Sequence, residues 1–389
     1  MGYAKVLLGL LLVTALAATS TTQTKLKCSK EGAKCTALIE YVSPNNTNIT
    51  TIQSLFQVKK FRNLLGANNF PTSIPSDKNV NAAEKIRIPF TCLCANGTGV
   101  SNRKPVYKVQ EGDFMYHIAK EVFSGLVTYQ QIAEFNGVMD PSLINPGQEL
   151  WIPLPCSCDE VNGIKVVHYG MLVDAGSTVE GIAEQYGTTS GTLLTLNNMT
   201  DPSELLAGQV LDIPLPACSS HVSNNSLDYP FLLANGTYVY TASNCVKCKC
   251  DSANNYTLQC EPSGLKSTNS DWTTCPVMQC QGADGLFIGN KTSSGCNQTS
   301  CVYSGFTSQT ILTSLVTESI CPVPSSPPAP SAAPAPSAPY VPSAPYAPSA
   351  VPAPPAPSAA WRIGFQGLGW NFFLFISIQL IFLSLHLFQ

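Results

Sequence analysis

Cysteine is the residue type with the most evident chemistry in this sequence, since thiolates bind metals, act as nucleophiles and form disulfides. All sixteen cysteines lie between residues 28 and 321. Cys245, Cys248, Cys250 and Cys260 have a spacing that resembles a zinc site. In a secreted chain, however, thiolates oxidise, and an even cysteine count favours a disulfide framework. The sequence therefore predicts disulfides here and no metal site.

Acidic residues and histidines could support hydrolysis, but their positions do not predict a catalytic set. A glycan hydrolase needs two carboxylates across one cleft, whereas Glu111, Asp113 and Asp140 are scattered over small repeated units. The histidines at 117, 168 and 221 stand in unrelated contexts and are predicted to be ordinary surface or half-buried residues. We therefore expect no enzyme and no cofactor.

Two segments of the chain have matching sequences, which indicates a module present in two copies. Residues 101–158 align with residues 162–218. Near its end, each copy has a similar six-residue sequence before a cysteine: Leu-Trp-Ile-Pro-Leu-Pro at 150–155 and Leu-Asp-Ile-Pro-Leu-Pro at 211–216. In each copy, two segments whose apolar residues recur at helical spacing lie between two segments in which apolar and polar residues alternate. This pattern predicts the order strand, helix, helix, strand. Such short modules need their apolar residues inside, so their loops are free to bind.

The stretch before these copies has the shape of a third, more divergent copy. Ile52, Leu55 and Phe56 have helical spacing, residues 61–68 read as a second short helix, and residues 86–89 read as the closing strand. Helical periodicity then disappears after the third copy, in a region rich in cysteine whose pairing stays open. The predicted fold class is α+β, with a degenerate first module at 28–94, a middle module at 105–153, a third module at 167–214 and a cysteine-rich region at 218–321.

Both ends of the chain have the character of processing signals. Residues 1–22, with Lys5 before a short apolar run, predict a secretory signal peptide; a membrane anchor is the alternative. Residues 322–358 are rich in proline, alanine and serine and predict an extended stalk. Residues 359–389 end in an uncharged apolar tail and predict a removed GPI-attachment signal, with Ser358 as the attachment residue. A single tail-anchored span is the alternative for this end.

Surface chemistry also favours an extracellular protein with a neutral ligand. The formal net charge of -3 does not indicate a nucleic acid or an anionic membrane surface as partner. Nine sequons predict exposed, glycosylated asparagines: Asn45, Asn48, Asn96, Asn198, Asn224, Asn235, Asn255, Asn290 and Asn297.

The chain resembles a known family over essentially its whole length. The short motifs that carry the resemblance are residues 65–69, 96–102, 125–129, 151–158 and 244–250. With the repeat, the stalk and the lipid signal, they resemble the plant LysM domain-containing GPI-anchored proteins. The resemblance implies three disulfide-clamped βααβ LysM modules. It also implies the pairs Cys28 with Cys94, Cys35 with Cys158 and Cys92 with Cys156.

The ligands implied by the resemblance are polymers of N-acetylglucosamine, either bacterial peptidoglycan or chitin. Two converging loops of a LysM unit would offer backbone groups to the acetamide and an apolar shelf to the sugar ring. In the middle module these loops contain Gln110, Glu111, Gly112, Asp113, Val138, Met139, Asp140, Pro141, Ser142, Leu143 and Ile144. Simple turn chemistry is the alternative explanation for Asp140 and Pro141. The middle module is the predicted site, because sequons fall on the loops of the other two.

Three functions compete. The resemblance implies a cell-surface receptor subunit, held on the outer leaflet by its lipid, that binds wall glycans and presents them to a LysM receptor kinase in innate immunity. A structural cell-wall glycoprotein and a wall-glycan hydrolase are the alternatives. Whether the outcome is immunity or symbiosis stays open.

Overall fold

The computed structural model describes residues 25–321. The predicted signal peptide at 1–22, the stalk at 322–358 and the attachment signal at 359–389 with Ser358 lie outside the described residues. Within residues 25–321, no helix is both long and apolar enough to cross a membrane.

Short helices and strands alternate along the first two thirds of the described chain, and strands dominate the last third. The helices are α1 (Ile49–Leu55), α2 (Phe61–Ala67), α3 (Met115–His117), α4 (Tyr129–Asn136), α5 (Val179–Tyr186) and α6 (Ser190–Leu196). The strands are β1 (Lys34–Val42), β2 (Thr47–Asn48), β3 (Asn79–Val80), β4 (Lys85–Ala95), β5 (Thr98–Ser101), β6 (Val106–Lys108), β7 (Glu149–Trp151), β8 (Pro155–Cys156), β9 (Val166–Leu172), β10 (Val210–Pro216), β11 (Thr237–Thr241), β12 (Val246–Cys250), β13 (Gln259–Pro262), β14 (Lys291–Ser294), β15 (Asn297–Phe306) and β16 (Ile311–Ser319).

Each repeat contains two helices between two strands, and local sequence fixes where the helices begin and end. Thr128 caps α4 in a capping box with Gln131, and Gly137 ends it in the left-handed conformation at φ 66°. Thr178 caps α5 by accepting from the Gly181 amide, without a capping box, and Gly187 ends it in the left-handed conformation. The first helix of the middle module differs, because α3 is one turn that continues as a π-helical segment at Ile118–Val122.

One six-stranded sheet joins the repeats, in the order β10, β9, β1, β4, β5, β8. Strands β1 and β4 of the first module pair antiparallel, and β1 also pairs in parallel with β9 of the third module. The middle module contributes no strand of its own repeat to this sheet. Its β6 and β7 form a separate pair, and the chain reaches and leaves them through the neighbouring strands β5 and β8.

The first and middle modules share one hydrophobic core rather than having one each. Phe56 of the first module packs edge-to-face on Phe123 of the middle module, with ring centroids 5.6 Å apart, and on Tyr41 at 5.0 Å. The third module has its own cluster around Tyr169 and Ile182. Pooling apolar residues from two modules solves the problem that units of this size have in burying enough surface.

Three disulfides stabilise this part of the chain. Cys28 with Cys94 lies within the first module, whereas Cys35 with Cys158 and Cys92 with Cys156 join the first module to the segment that follows the middle module. These are the pairs that the family resemblance implies. In the cysteine-rich region the bonds are Cys218 with Cys250, Cys245 with Cys275, Cys248 with Cys260, Cys280 with Cys301 and Cys296 with Cys321. The cysteines that resemble a zinc site are therefore disulfide-bonded, which removes the thiolates that a metal would need.

The cysteine-rich region folds into two three-stranded sheets, and the first of them packs against the first module. Helix α2 lies directly on β11 at Gly66, where a Cβ atom would overlap the carbonyl of Tyr238. The Tyr238 hydroxyl donates to the carbonyl of Phe70 at 2.6 Å, next to this contact. Only glycine permits so close an approach of helix and strand.

Candidate functional site

The two loops expected to form the middle groove lie at the same end of one strand pair. The first loop follows β6 and the second precedes β7. The Val109 amide donates to the carbonyl of Gln148 at 2.9 Å, and the Gly147 amide donates to the carbonyl of Val109 at 2.8 Å. These bonds place the start of the first loop beside the segment that leads from the second loop into β7.

The first loop is a tight turn that is locked from within by Asp113. One carboxylate oxygen of Asp113 accepts from the Gln110 amide at 2.7 Å and from the Tyr107 hydroxyl at 2.9 Å. The other lies 2.9 Å from His117 Nδ1. Burial, together with the hydrogen bond and the charge of Asp113, raises the pKa of Tyr107 to about 12. Asp113 thus shapes the turn, with Gly112 at φ +85°, while Gln110 and Glu111 are exposed.

The second loop contains an aspartate turn. Asp140 Oδ1 accepts from the Ser142 amide at 2.9 Å and from the Ser142 hydroxyl at 2.6 Å, and these two bonds lower the pKa of Asp140. The Leu143 amide donates to the Asp140 carbonyl at 3.0 Å. Turn chemistry therefore accounts for Asp140, and Pro141 follows it with its φ fixed by the ring.

The apolar residues of the second loop fall into two pairs. Val138 and Ile144 are half-buried and pack against the shared core, so they anchor the loop. Met139 is fully exposed and Leu143 is 70% exposed. The surface available to a ligand is therefore made by Met139 and Leu143.

Two exposed aromatic residues lie where the first loop leads into α3: Phe114 ends the loop predicted for the site, and Tyr116 lies just beyond it. Phe114 and Tyr116 flank the buried Met115 and are 54% and 53% exposed. Their rings are parallel within 3°, with centroids 6.5 Å apart. The sequence indicates this exposure, because residues 114–116 are three consecutive large apolar residues at the start of a helix. A helix cannot direct three consecutive side chains toward one core.

The third module has polar residues at the aligned positions. Thr178 and Glu180 stand where the middle module has Phe114 and Tyr116, and Thr200 and Glu204 stand where it has Met139 and Leu143. Glu204 accepts from the amides of Thr200 and Asp201, both at 3.1 Å. The exposed apolar surface is thus a property of the middle module, not of the repeat.

The first loop of the third module is also tied to its neighbour. Asp174 Oδ2 accepts from the Lys85 ammonium at 2.6 Å, and the same ammonium lies 3.2 Å from the buried Glu40. The loop that would open a groove in the third module is therefore held against the first module.

Most of the predicted glycosylation sites lie on exposed surface. Asn48 and Asn235 are half-buried, and the exposed ones are Asn45, Asn96, Asn198, Asn224, Asn255, Asn290 and Asn297. Asn48 caps α1, since its Oδ1 accepts from the Thr51 amide at 2.8 Å. Its other side-chain atom, Nδ2, is the one that a glycan would use.

The prediction for His168 was wrong, because this residue is buried. Its Nδ1 lies 2.8 Å from a carboxylate oxygen of the buried Asp212, and its Nε2 lies 2.8 Å from the carbonyl of Asp159. Burial lowers the pKa of His168, but the charge and hydrogen bond of Asp212 outweigh it and the net shift is upward. With a carbonyl on one ring nitrogen and a carboxylate on the other, His168 joins β9 to β10 and both of its ring nitrogens are engaged.

The chain is similar to known proteins in sequence and in structure. The LysM domain family matches residues 107–153 and 172–214. The chain is 47% identical to "LysM domain-containing GPI-anchored protein 2" of Arabidopsis thaliana, over 74% of this chain and 80% of the relative. It is 42% identical to "Chitin elicitor-binding protein" of Oryza sativa subsp. japonica, over 74% and 79%. It is 35% identical to "LysM domain-containing GPI-anchored protein 1" of Arabidopsis thaliana, over 82% and 76%. Among solved structures, the ectodomain of a receptor-like kinase is similar with a TM-score of 0.40 and 18% identity, over 48% of this chain and 92% of that one.

Proposed function

Because this chain belongs to the family of plant LysM domain-containing GPI-anchored proteins, we propose that it is a cell-surface receptor subunit for N-acetylglucosamine-containing glycans. The ligand is chitin or bacterial peptidoglycan, and the groove of the middle module binds it. The protein is held on the outer leaflet by a lipid at Ser358 and acts without catalysis.

The observation that carries the proposal is the exposed apolar surface of the middle module. Met139 and Leu143 on one loop, with Phe114 and Tyr116 beside the other, offer large apolar side chains to water. Pyranose rings have apolar faces, and exposed apolar surface of this kind marks binding sites. The aspartate turns hold the loops in place without filling the surface.

Neutral ligands suit the electrostatics of these loops. The Asp113 and Asp140 carboxylates are satisfied inside their own turns, so neither is free as a general acid or nucleophile. A hydrolase would need two such groups facing each other across a cleft.

Signalling requires a partner that crosses the membrane, since a lipid in the outer leaflet does not. We propose a LysM receptor kinase in this role, with the bound glycan presented to it. The anchor itself is tested by treating cells with a phosphatidylinositol-specific phospholipase, which should release the mature protein. Retention after verified treatment would exclude the lipid anchor.

The released protein also serves to test the ligand. Titration calorimetry with chitin and peptidoglycan fragments of matched length should show binding of at least one, and chromatography of the recovered fragments should show them intact. Shortened fragments would identify a hydrolase. Absence of binding to either fragment, with wall crosslinking instead, would identify a structural glycoprotein.

A further inference from the structure

An open cleft of about 340 Å³ lies between the first module and the middle module, and we call it the module cleft. Residues within 41–55 form its first-module wall, and His117, Glu121 and Val122 form its middle-module wall. Leu55 and Val122 are half-buried and supply apolar surface, one from each wall. The volume is at the lower end of the range for small-molecule sites, so the cleft has room for about one sugar residue.

One residue of the cleft wall, Asn45, is itself a predicted glycosylation site. Its side chain is exposed and makes no hydrogen bond to any residue between 25 and 321. The two neighbouring asparagines differ, because Asn46 Oδ1 accepts from the Ala82 amide at 2.8 Å and Asn48 Oδ1 accepts from the Thr51 amide at 2.8 Å. A glycan on the Asn45 amide therefore breaks no contact of the fold.

The backbone around Asn45 is fixed against both modules. The Ser43 hydroxyl donates to the Asn45 carbonyl at 2.7 Å, and the Ser43 amide donates to the Glu84 carbonyl at 3.0 Å. From the middle module, the Ser124 hydroxyl donates to the Val42 carbonyl at 2.5 Å. The first sugar of a glycan on Asn45 thus starts at a fixed point of the cleft wall, and this tether gives it a high effective concentration in the cleft.

The chemistry of the cleft suits a neutral sugar. A pyranose ring has apolar faces that match Leu55 and Val122, and its hydroxyls donate to oxygen acceptors. Thr51 and Glu121 supply such acceptors from opposite walls, and both are exposed. Glu121 retains capacity for a sugar hydroxyl, since its nearest recorded partner is His117 Nε2 at 3.5 Å.

We propose that the innermost N-acetylglucosamine of a glycan on Asn45 occupies the module cleft and bridges the first and middle modules. The bound sugar covers the π-helical segment Ile118–Val122, which faces the cleft through Val122. It therefore stabilises the contact between the two modules and is a structural part of the protein. The proposal requires a secreted chain, but it does not depend on the middle groove binding glycan.

The test uses protein purified from plant cells treated with a mannosidase inhibitor, so that an endoglycosidase can trim each glycan to its innermost N-acetylglucosamine. Glycopeptide mass spectrometry should find that sugar on Asn45. In the trimmed protein, nuclear Overhauser contacts should join protons of this sugar to methyl groups of Leu55 or Val122. These contacts should be absent in Asn45→Gln.

Hydrogen exchange measures the bridge. Covering the exposed part of one aliphatic side chain shifts an opening equilibrium by about tenfold, so exchange in Ile118–Val122 should be about tenfold faster in Asn45→Gln than in the wild type. Trimmed and intact wild type should exchange equally, because the innermost sugar remains. Asn290→Gln is the matched control, since Asn290 begins an exposed sequon that does not line the cleft, and it should leave this exchange unchanged.

Four results would overturn the bridge. Asn45 found without a sugar would remove the occupant, and sugar protons without contacts to Leu55 and Val122 would place it in solvent. Unchanged exchange in Asn45→Gln would show that the sugar covers nothing. Faster exchange after trimming would assign the protection to the outer sugars. The proposed function stands apart from these results, because it is tested by fragment binding; only a lack of sugar on every sequon would also count against its extracellular location.

Discussion

Changing Leu143 to glutamate should remove much of the glycan affinity of the middle groove without unfolding it. The substitution gives the middle loop the residue that the third module has at Glu204. There the glutamate accepts from two amides of its own turn, so the same exchange is compatible with the loop backbone. The change therefore affects the exposed surface and leaves the core untouched.

The size of the effect follows from the exposure of Leu143. Fully burying a leucine side chain is worth about 1.5–3 kcal/mol. Since 70% of Leu143 is available to a ligand, complete coverage would contribute about 1–2 kcal/mol. That corresponds to a rise in Kd of roughly 5- to 30-fold.

Calorimetric titration of released wild-type and variant protein with a chitin oligomer, repeated with a peptidoglycan fragment, measures this change. Glu204→Leu in the third module is the matched control and should leave the Kd unchanged. An unchanged Kd for Leu143→Glu, or an equal change in both variants, would refute the assignment of the ligand to the middle module.

Three further predictions concern the frame that holds the groove. Replacing Cys92 and Cys156 together by alanine should lower the free energy of unfolding by about 2–5 kcal/mol, measured by denaturant titration, and an unchanged midpoint would contradict the clamp. Gly66→Ala should loosen the packing of the cysteine-rich region on α2, and this should appear as faster hydrogen exchange in β11. Gly191→Ala in α6 is the control, because nothing lies near the new methyl group, and it should leave exchange in β11 unchanged. Equal exchange rates in the two variants would count against the close packing. His168 has a raised pKa in the folded state, so its stabilising effect is present below pH of about 6.5 and is lost as the pH rises through the raised value. Denaturation across this range should show that loss, and His168→Gln should abolish it; a flat profile for the wild type would show that this pair does not govern stability.

The elements of the repeats could be predicted because their signals are local. Thr128 and Gly137 mark the two ends of α4 by side-chain capping and by a left-handed glycine, and both can be recognised from neighbouring residues. The closing strands are recognisable from alternation before each cysteine. Such features need no knowledge of what packs against them.

What could not be predicted depends on contacts between distant residues. Strand β1 pairs with β4 and β9, yet the sequence reasoning named only the closing strand of the first module. The burial of His168 likewise depends on Asp212, 44 residues further along the chain. At the candidate site, only side-chain exposure separates Met139 and Leu143 from the anchoring Val138 and Ile144, and the sequence does not give that exposure.

The position of the middle module between β5 and β8 has a consequence for how this protein can change. Those two strands are neighbours in the large sheet, and the Cys92–Cys156 bond joins the sheet at the same place. The two ends of the middle module therefore lie close together, so the module is inserted into the large sheet as a self-contained cassette. Folds tolerate insertions whose two ends are close together. A different module could be exchanged at this point while the frame kept its pairing, as long as the new unit preserved the apolar face that completes the shared core. If the middle module binds the ligand as proposed, ligand preference can change by replacing this one module, and the first module limits which replacements still complete the shared core.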